Sequence, residues 1–330
     1  MQYSVIIPVY NCKAALTACV ESLLSGLPED SEIILVDDGS MDGTGDLCDG
    51  LQRQDGRIRV IHQENRGAAA ARNRGLVEAR GQYILFADGD DRVNGENLRK
   101  ALETASAAGN RLAVFGLTET YFHRQICYRE DVFLPPQTRA GQEDMYGWYT
   151  AEVLNPLWNK IFRRDVIEAH HLRLREEMIG YEDLEFVLRY LSCCDGFFGI
   201  PLPVYDHRQW EGENRAVRRM QRIESLWEIL GPVEAALGEN EAKEKLLRRL
   251  LGILAREKLM GADRAAARRV CREYAAWVAA HGVTEAEQTG LLRCVRLGNI
   301  PAIRWRLAMT ALRHRLAVAV KTFRVGRKRI

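Results

Sequence analysis

The first 117 residues alternate short, wholly apolar runs with amphipathic ones, and no other feature constrains the fold so tightly. Ser4–Val9 (SVIIPV), Glu32–Val36 (EIILV), Arg59–His62 (RVIH), Gln82–Ala87 (QYILFA) and Arg111–Leu117 (RLAVFGL) have the character of β-strands. Between the first two, Leu16, Val20, Leu23, Leu24 and Leu27 recur at three- and four-residue spacing, which predicts a helix. A short helix around Leu47 and Leu51 and a small-residue helix in GAAAARNRGLVEAR fill the next intervals. Asn94 then caps a helix carrying Leu98, Ala101, Leu102 and Ala105. Strands that lack polar alternation are buried on both faces. The pattern therefore predicts an α/β fold with a mostly parallel sheet flanked by helices.

In such sheets ligands bind beyond the carboxyl ends of the strands. Three of those ends carry polar clusters, Tyr10-Asn11, Asp37-Asp38 and Asp88 to Asp91, and these are expected to converge on one crevice. Aspartates there have two ordinary uses: capping the next helix, or binding a hard divalent cation. Asp-Asp-Gly at 37–39 suits capping, with Asp42 and Thr44 as further caps. In FADGDDR, Phe86 to Arg92, the three carboxylates of Asp88, Asp90 and Asp91 repel one another and call for a cation. Gly89 would let backbone approach a ligand closely.

From Thr118 to about Pro136 the pattern turns irregular and β-like. Helices are expected at 141–154, at 158–170 and from Asp183 to about Cys194, with a strand near Phe197–Tyr205. Past Glu213 the chain reads as helical, which puts a boundary near residue 214 and divides it into 1–213 and 214–330.

With 47 Lys and Arg against 45 Asp and Glu, the net charge of +2 gives no reason to expect nucleic acid as a partner. The eight cysteines form no CxxC pair and show no zinc-ligand spacing, which suits reduced thiols. Nothing at the N-terminus resembles a signal peptide, and no apolar run is long enough to span a bilayer, so a cytoplasmic location is expected. The first strand is not followed by GxGxxG, against a dinucleotide oxidoreductase. VYNCKAAL also lacks the glycine- and lysine-rich phosphate loop of a nucleotidyltransferase. A nucleotidyltransferase of related fold and a non-catalytic, membrane-docked scaffold are the competing readings.

SVIIPVYN, ILVDDGSMDGT, ENRGAAAARNRGLVEARGQYILFADGDD and the triplet Tyr181-Glu182-Asp183 occur in that order over about the first 210 residues. Together they resemble the family 2 glycosyltransferases, inverting, nucleotide-sugar-dependent enzymes of the GT-A, Rossmann-like fold. The resemblance implies a nucleotide-sugar-binding part over 1–117 and an acceptor-side part over 118–213. It would place Pro8, Val9 and Tyr10 along the nucleotide pocket, with Tyr10 near the base. Asp38 would accept the imino N–H of a uracil-like base, and Asp37 would support it or the ribose. Asp88-Gly89-Asp90 fits the family's DxD motif: Asp90 would ligate Mn²⁺ or Mg²⁺, and Asp88 would address the ribose and the metal's water shell. Arg72 and Asn73 would shape the pocket floor, the alternative being a helix-surface ion pair and a turn residue. A cation bridging the two phosphates would offset the charge that grows on the leaving diphosphate.

MIGYEDLEF (Met178 to Phe186) resembles the family's ED motif. By that analogy Asp183 is the base that deprotonates the acceptor hydroxyl, and Glu182 orients sugar or acceptor. The alternative is a pair of acids favoured by a helix N-terminus. LWNKIFRRDVI (Leu157 to Ile167) resembles a segment of bacterial members acting on polysaccharides and cell-wall glycans. There Trp158 offers a face for a sugar ring, and Asn159 and Lys160 offer polar contacts on the acceptor side. An amphipathic helix with Trp158 and Ile161 in the core is the alternative. His207 would reach the metal or diphosphate, or else be a satisfied surface histidine, and Arg208 would contact the diphosphate in a closed loop. The final stretch, RWRLAMTALRHRLAVAVKTFRVGRKRI, combines an apolar stripe with many basic residues and no acids. That pattern suits an anionic membrane surface, a docking partner or the catalytic domain itself. A membrane contact would bring the protein to a polyprenyl-linked acceptor.

Overall fold

β1 (Tyr3–Val9) is buried at every position but Pro8, as a strand covered on both faces must be. β2 (Ser31–Asp37), β3 (Ile58–His62) and β4 (Tyr83–Phe86) join it in parallel, in the order β3-β2-β1-β4. Three helices make the crossovers: α1 (Lys13–Leu24), α2 (Thr44–Gln54) and α3 (Ala68–Glu78). The small residues of α3 bring it against β1, since a Cβ at Gly75 would lie 2.3 Å from Ile6 Cγ2. The computed structural model describes residues 1–123, 126–132, 153–178 and 180–210. All of them belong to the first of two compact units, Met1–Arg218 with Glu228–Lys243.

Beyond β4 the chain forms β5 (Arg92–Val93), α4 (Gly95–Ala105), β6 (Leu112–His123) and β7 (Ile126–Val132). Then come β8 (Lys160–Arg163), α5 (Arg164–Ala169), α6 (Glu182–Leu191) and β9 (Phe197–Trp210). Asn94 caps α4 as expected, its Oδ1 accepting the Asn97 N–H at 3.0 Å. The sheet runs on as β4-β8-β6-β9-β5, with β7 paired to β6. The β4/β8, β8/β6, β9/β5 and β6/β7 pairings are antiparallel, and β6/β9 is parallel. The architecture is the expected α/β one, parallel over its first half and mixed over its second.

One expected helix is replaced. Residues 158–170 form strand β8 followed by the short α5. Leu157, Ile161, Phe162, Val166 and Ile167 are buried, at spacings that suit a helix as well as a strand followed by a helix. Pairing with β4 and β6 decides the matter. Phe162 is wholly buried and meets Phe86, Phe186 and Tyr190 edge-on at ring distances of 5.8, 5.6 and 5.1 Å. β6 and β9 also outrun their expected ends, by pairing with each other. The helix expected at 141–154 lies almost wholly outside the described residues, as do the helices beyond 213 and the basic tail. No helix among the described residues is long and apolar enough to cross a membrane.

Candidate active site

Because β2, β1 and β4 are parallel neighbours, their carboxyl ends lie side by side. The Asp38 N–H donates to the Val9 carbonyl at 2.9 Å, and the Ala87 N–H to that of Ile6 at 3.1 Å. The three polar clusters therefore border one crevice. At its rim Val9 is buried, Pro8 is half-buried and the Tyr10 side chain is 50% exposed. Asn11 takes a left-handed conformation (φ 49°) and stitches the β1 and β2 loops together. Its N–H donates to Ser40 Oγ at 3.1 Å, and its Oδ1 accepts the Met41 N–H at 2.8 Å. Asp42 accepts the Thr44 N–H at the head of α2 (2.9 Å) and the Lys13 N–H at the head of α1 (3.3 Å).

Asp37 and Asp38 are both buried, and both are engaged. Asp38 Oδ1 accepts Gln63 Nε2 and the Arg66 N–H, and Oδ2 accepts the Gly67 N–H, each at 2.8 Å. It thus holds the loop entering α3, a capping role exercised from another strand. Asp37 Oδ1 accepts the Ser40 N–H at 3.1 Å, and Oδ2 meets His62 Nδ1 at 2.9 Å. Burial opposes its ionisation, but the bonds from Ser40 and His62 outweigh burial and hold the carboxyl below its usual range.

The three acids of the β4 turn have separate fates. Asp90 is exposed and Asp88 half-buried, whereas Asp91 is buried in protein. Asp91 Oδ2 accepts the Tyr205 hydroxyl at 3.0 Å, and Oδ1 the Arg208 N–H at 2.7 Å. Tyr205 O–H in turn accepts the Asp88 N–H at 2.9 Å. The expectation that all three carboxylates await a cation is corrected: Asp91 fastens the turn to β9. Gly89 is itself pressed against the protein on the side where a side chain would stand. A Cβ there would lie 3.0 Å from Cys12 Sγ and 3.2 Å from Val9 Cγ1.

Arg72 joins the two acid motifs. It is buried on α3, and donates from one guanidinium nitrogen to Asp88 Oδ1 at 2.8 Å and from the other to Asp183 Oδ1 at 3.1 Å. A surface ion pair is thereby excluded. Asn73 instead turns to the approach to α6, exchanging bonds of 2.8 Å with the backbone of Leu174. Asp183 sits in the first turn of α6, after Gly180 (φ 81°) and Tyr181 (φ 67°). A left-handed tyrosine is strained, and such strain gathers at functional sites. Burial pushes Asp183 up to about 7, assisted by the Glu182 and Asp88 charges and opposed by Arg72 and Lys160. Among the described residues, Glu182 Oε2 and Arg72 Nε are buried without a hydrogen-bond partner.

On the acceptor side the structure separates the expected residues. Trp158 is half-buried and stacks on Tyr205 at 4.2 Å, with its ring 5.3 Å from that of His207. His207 lies 4.0 Å from Glu119. Burial works against its protonation, but Glu119 and the Asp91 charge outweigh burial and raise its pKa. Lys160 is corrected outright. It is 0% exposed, burial pushes its pKa well below the ordinary lysine value, and its Nζ donates to the carbonyls of Val153 (2.8 Å) and Pro156 and to Asn159 Oδ1 (2.7 Å). No acceptor can touch it. Asn159 is equally buried and bonds the Val153 carbonyl.

Sequence reasoning passed over Tyr205 and His62. Tyr205 carries no local signal, since its partner Asp91 is 114 residues away. His62 did carry one: it is the polar end of a fourth parallel strand.

The model of the family "Glycosyl transferase family 2" matches residues 4–170, half of the chain. Over 200 residues the chain is 34% identical to the uncharacterized glycosyltransferase EpsJ of Bacillus subtilis (strain 168), covering 56% of this chain and 54% of that one. It is 29% identical over 226 residues to the succinoglycan biosynthesis protein ExoO of Rhizobium meliloti (strain 1021), covering 67% and 64%. The chain thus spans about half to two thirds of the length of these relatives. Among solved structures, S. aureus TarS 1-349 in complex with UDP-GlcNAc superposes with a TM-score of 0.72 at 20% identity, over 92% of this chain and 90% of that one. That likeness establishes the shared GT-A fold. Adjacent strand tips, paired acid motifs and the family match lead to one conclusion: the chain belongs to glycosyl transferase family 2.

Proposed function

We propose that the protein transfers a sugar from a nucleoside-diphosphate donor, a UDP-sugar, to a hydroxyl of a bacterial surface glycan or its polyprenyl-linked precursor, with inversion. One observation carries this reading. Through Arg72, the acid of the β4 turn and the acid at the head of α6 share a single guanidinium, although 95 residues separate them in sequence. A donor-binding acid and a proton acceptor must stand that close if one sugar is to meet both. The resemblance of the fold to TarS, solved with UDP-GlcNAc and with UDP, favours a UDP-sugar. The kinship with ExoO favours a polysaccharide product.

The residues present fit a divalent cation. Asp90 is exposed and Asp88 has one oxygen outside its bond to Arg72, so both offer hard oxygen ligands. Among the described residues no three acidic, histidine or cysteine side chains gather into a cage. Donor phosphates and water would therefore complete the coordination, as Mg²⁺ commonly requires. Bound there, Mg²⁺ or Mn²⁺ would offset the negative charge developing on the leaving diphosphate.

The chain's own groups do the rest. Tyr10 presents a ring to the base at the crevice rim. Asp183, pushed up to about 7, is matched to take the proton of an acceptor hydroxyl near neutral pH. Arg72 holds Asp183 and Asp88 in fixed relation, and the half-buried Glu182 beside them would orient the sugar or acceptor. The same reading keeps the protein in the cytoplasm, on the inner face of the membrane, where its basic tail would meet anionic lipid. Screening a panel of nucleotide sugars for metal-dependent hydrolysis tests the reading. Turnover of none of them, with no metal-dependent binding of UDP, would overturn it.

A further inference from the structure

His62 closes the carboxyl end of β3, where both of its ring nitrogens face carboxylates. Nδ1 is 2.9 Å from Asp37 Oδ2, and Nε2 is 3.1 Å from Asp49 Oδ1. A neutral imidazole has one N–H and cannot donate to both; an imidazolium can. Ionised carboxylates offer no proton in return, so the arrangement is that of a cation clamped between two anions. The clamp has consequences at the crevice. Asp37 Oδ1 holds the Ser40 N–H, and Ser40 Oγ holds the N–H of Asn11, the residue after Tyr10. A chain of bonds thus runs from His62 through Asp37 and Ser40 to the rim of the nucleotide pocket.

We propose that His62 is a positioning residue of that pocket: its doubly bonded imidazolium fixes the Asp37 carboxylate, and loss of its proton weakens nucleotide binding. The inference rests on the reading of the crevice as a nucleotide site. The charged groups that act on the ring are Asp37 from β2 and Asp49 from α2. The Cys48 thiol of α2 lies near both acids, but burial pushes it up to about 12, so it stays neutral. The hydrogen bonds to Asp37 and Asp49 raise the pKa of His62 against the opposing effect of burial. The sign follows. Below that raised pKa the clamp is closed; as pH climbs through it the imidazole keeps one N–H, and one carboxylate loses its donor.

Two measurements on the full chain test this. Imidazole Cε1–H resonances, assigned with His62→Gln, give the pKa of His62 in the free protein, which is expected above the ordinary histidine value and lower in Asp49→Asn. UDP titrations with Mn²⁺ between about pH 6 and pH 9 then give the affinity. Wild type is expected to weaken about three- to tenfold over that range, the worth of one hydrogen bond. The midpoint should move to lower pH in Asp49→Asn, and the step should vanish in His62→Gln. A wild-type profile shared by both variants, or a His62 pKa at or below the ordinary value, would overturn the inference while UDP binding itself stood. Absence of UDP binding at every pH would instead overturn the proposed function, and with it the role given to His62.

Discussion

The hydroxyl of Tyr205, on β9, lies 3.0 Å from the carboxylate of Asp91, in the turn after β4. With the Arg208 N–H bond to the same carboxyl group, it ties the Asp88–Asp91 turn to the far half of the sheet, and the same hydroxyl accepts the Asp88 N–H. Tyr205→Phe keeps the ring and its stacking on Trp158 but leaves the half-buried Asp88 N–H and an oxygen of the buried Asp91 side chain without their partner. The expected loss is about 1–3 kcal/mol of stability. Urea denaturation measures it. Metal-dependent UDP affinity should fall in the same variant, because Asp88 loses the bond that sets its backbone.

The sequence made the first half of the fold legible and left the second half partly obscure, for a physical reason. Strands such as Val5–Val9 and Ile33–Val36 are buried on both faces, so their apolar runs announce themselves. Lys160–Arg163 does not, because a buried lysine interrupts the run and its true partners, β4 and β6, are remote in sequence. The acids of the crevice were equally visible, since each sits at a strand tip. What they bond to was not. Asp91 looks like Asp90 in the sequence, yet only the distant Tyr205 and Arg208 draw it into the protein.

Arg72 carries a prediction about charge. Arg72→Lys keeps the cation but cannot reach Asp88 and Asp183 with two nitrogens held in one plane. Transfer is expected to fall at least about a hundredfold, as for other losses of active-site positioning. Arg72→Gln also leaves two acids facing each other without a counter-charge. Its stability cost should be about 3 kcal/mol, the low end for a broken buried pair, because the Asp88 and Asp183 side chains keep 34% and 26% of their exposure. Steady-state kinetics with the donor identified by screening, beside thermal melts, separates the two effects.

Asp183 makes a prediction about pH. With its carboxyl pushed up to about 7, the fraction able to accept a proton rises through that pH, and so should kcat/KM. Asp183→Asn should abolish transfer while leaving the fold intact. Linkage gives the companion sign. A carboxyl whose folded pKa lies above its unfolded value costs stability as pH rises from about 4 toward 7. Asp183→Asn should therefore unfold later than wild type at pH 8 and lose that advantage at pH 4. A flat difference between the two melting profiles would contradict the carboxylate-disfavouring environment assigned to this residue.

Gly89 offers a test of packing beneath the Asp88–Asp91 turn. A methyl added there would sit 3.0 Å from Cys12 Sγ and 3.2 Å from Val9 Cγ1, tighter than ordinary carbon contacts. Val9 belongs to a central strand and cannot retreat, so Gly89→Ala should push the Asp88–Asp90 backbone outward and weaken metal-dependent UDP binding severalfold. Cys12 is the softer neighbour. Replacing it by alanine removes the sulfur and opens the space the methyl needs. The double variant Cys12→Ala/Gly89→Ala should recover much of the affinity that Gly89→Ala loses, with Cys12→Ala alone close to wild type. Non-additivity of that sign, read by calorimetric titration of UDP with Mn²⁺, identifies steric pressure on the turn as the cause. Strict additivity would mean that the glycine serves the ligand directly, as the sequence first suggested.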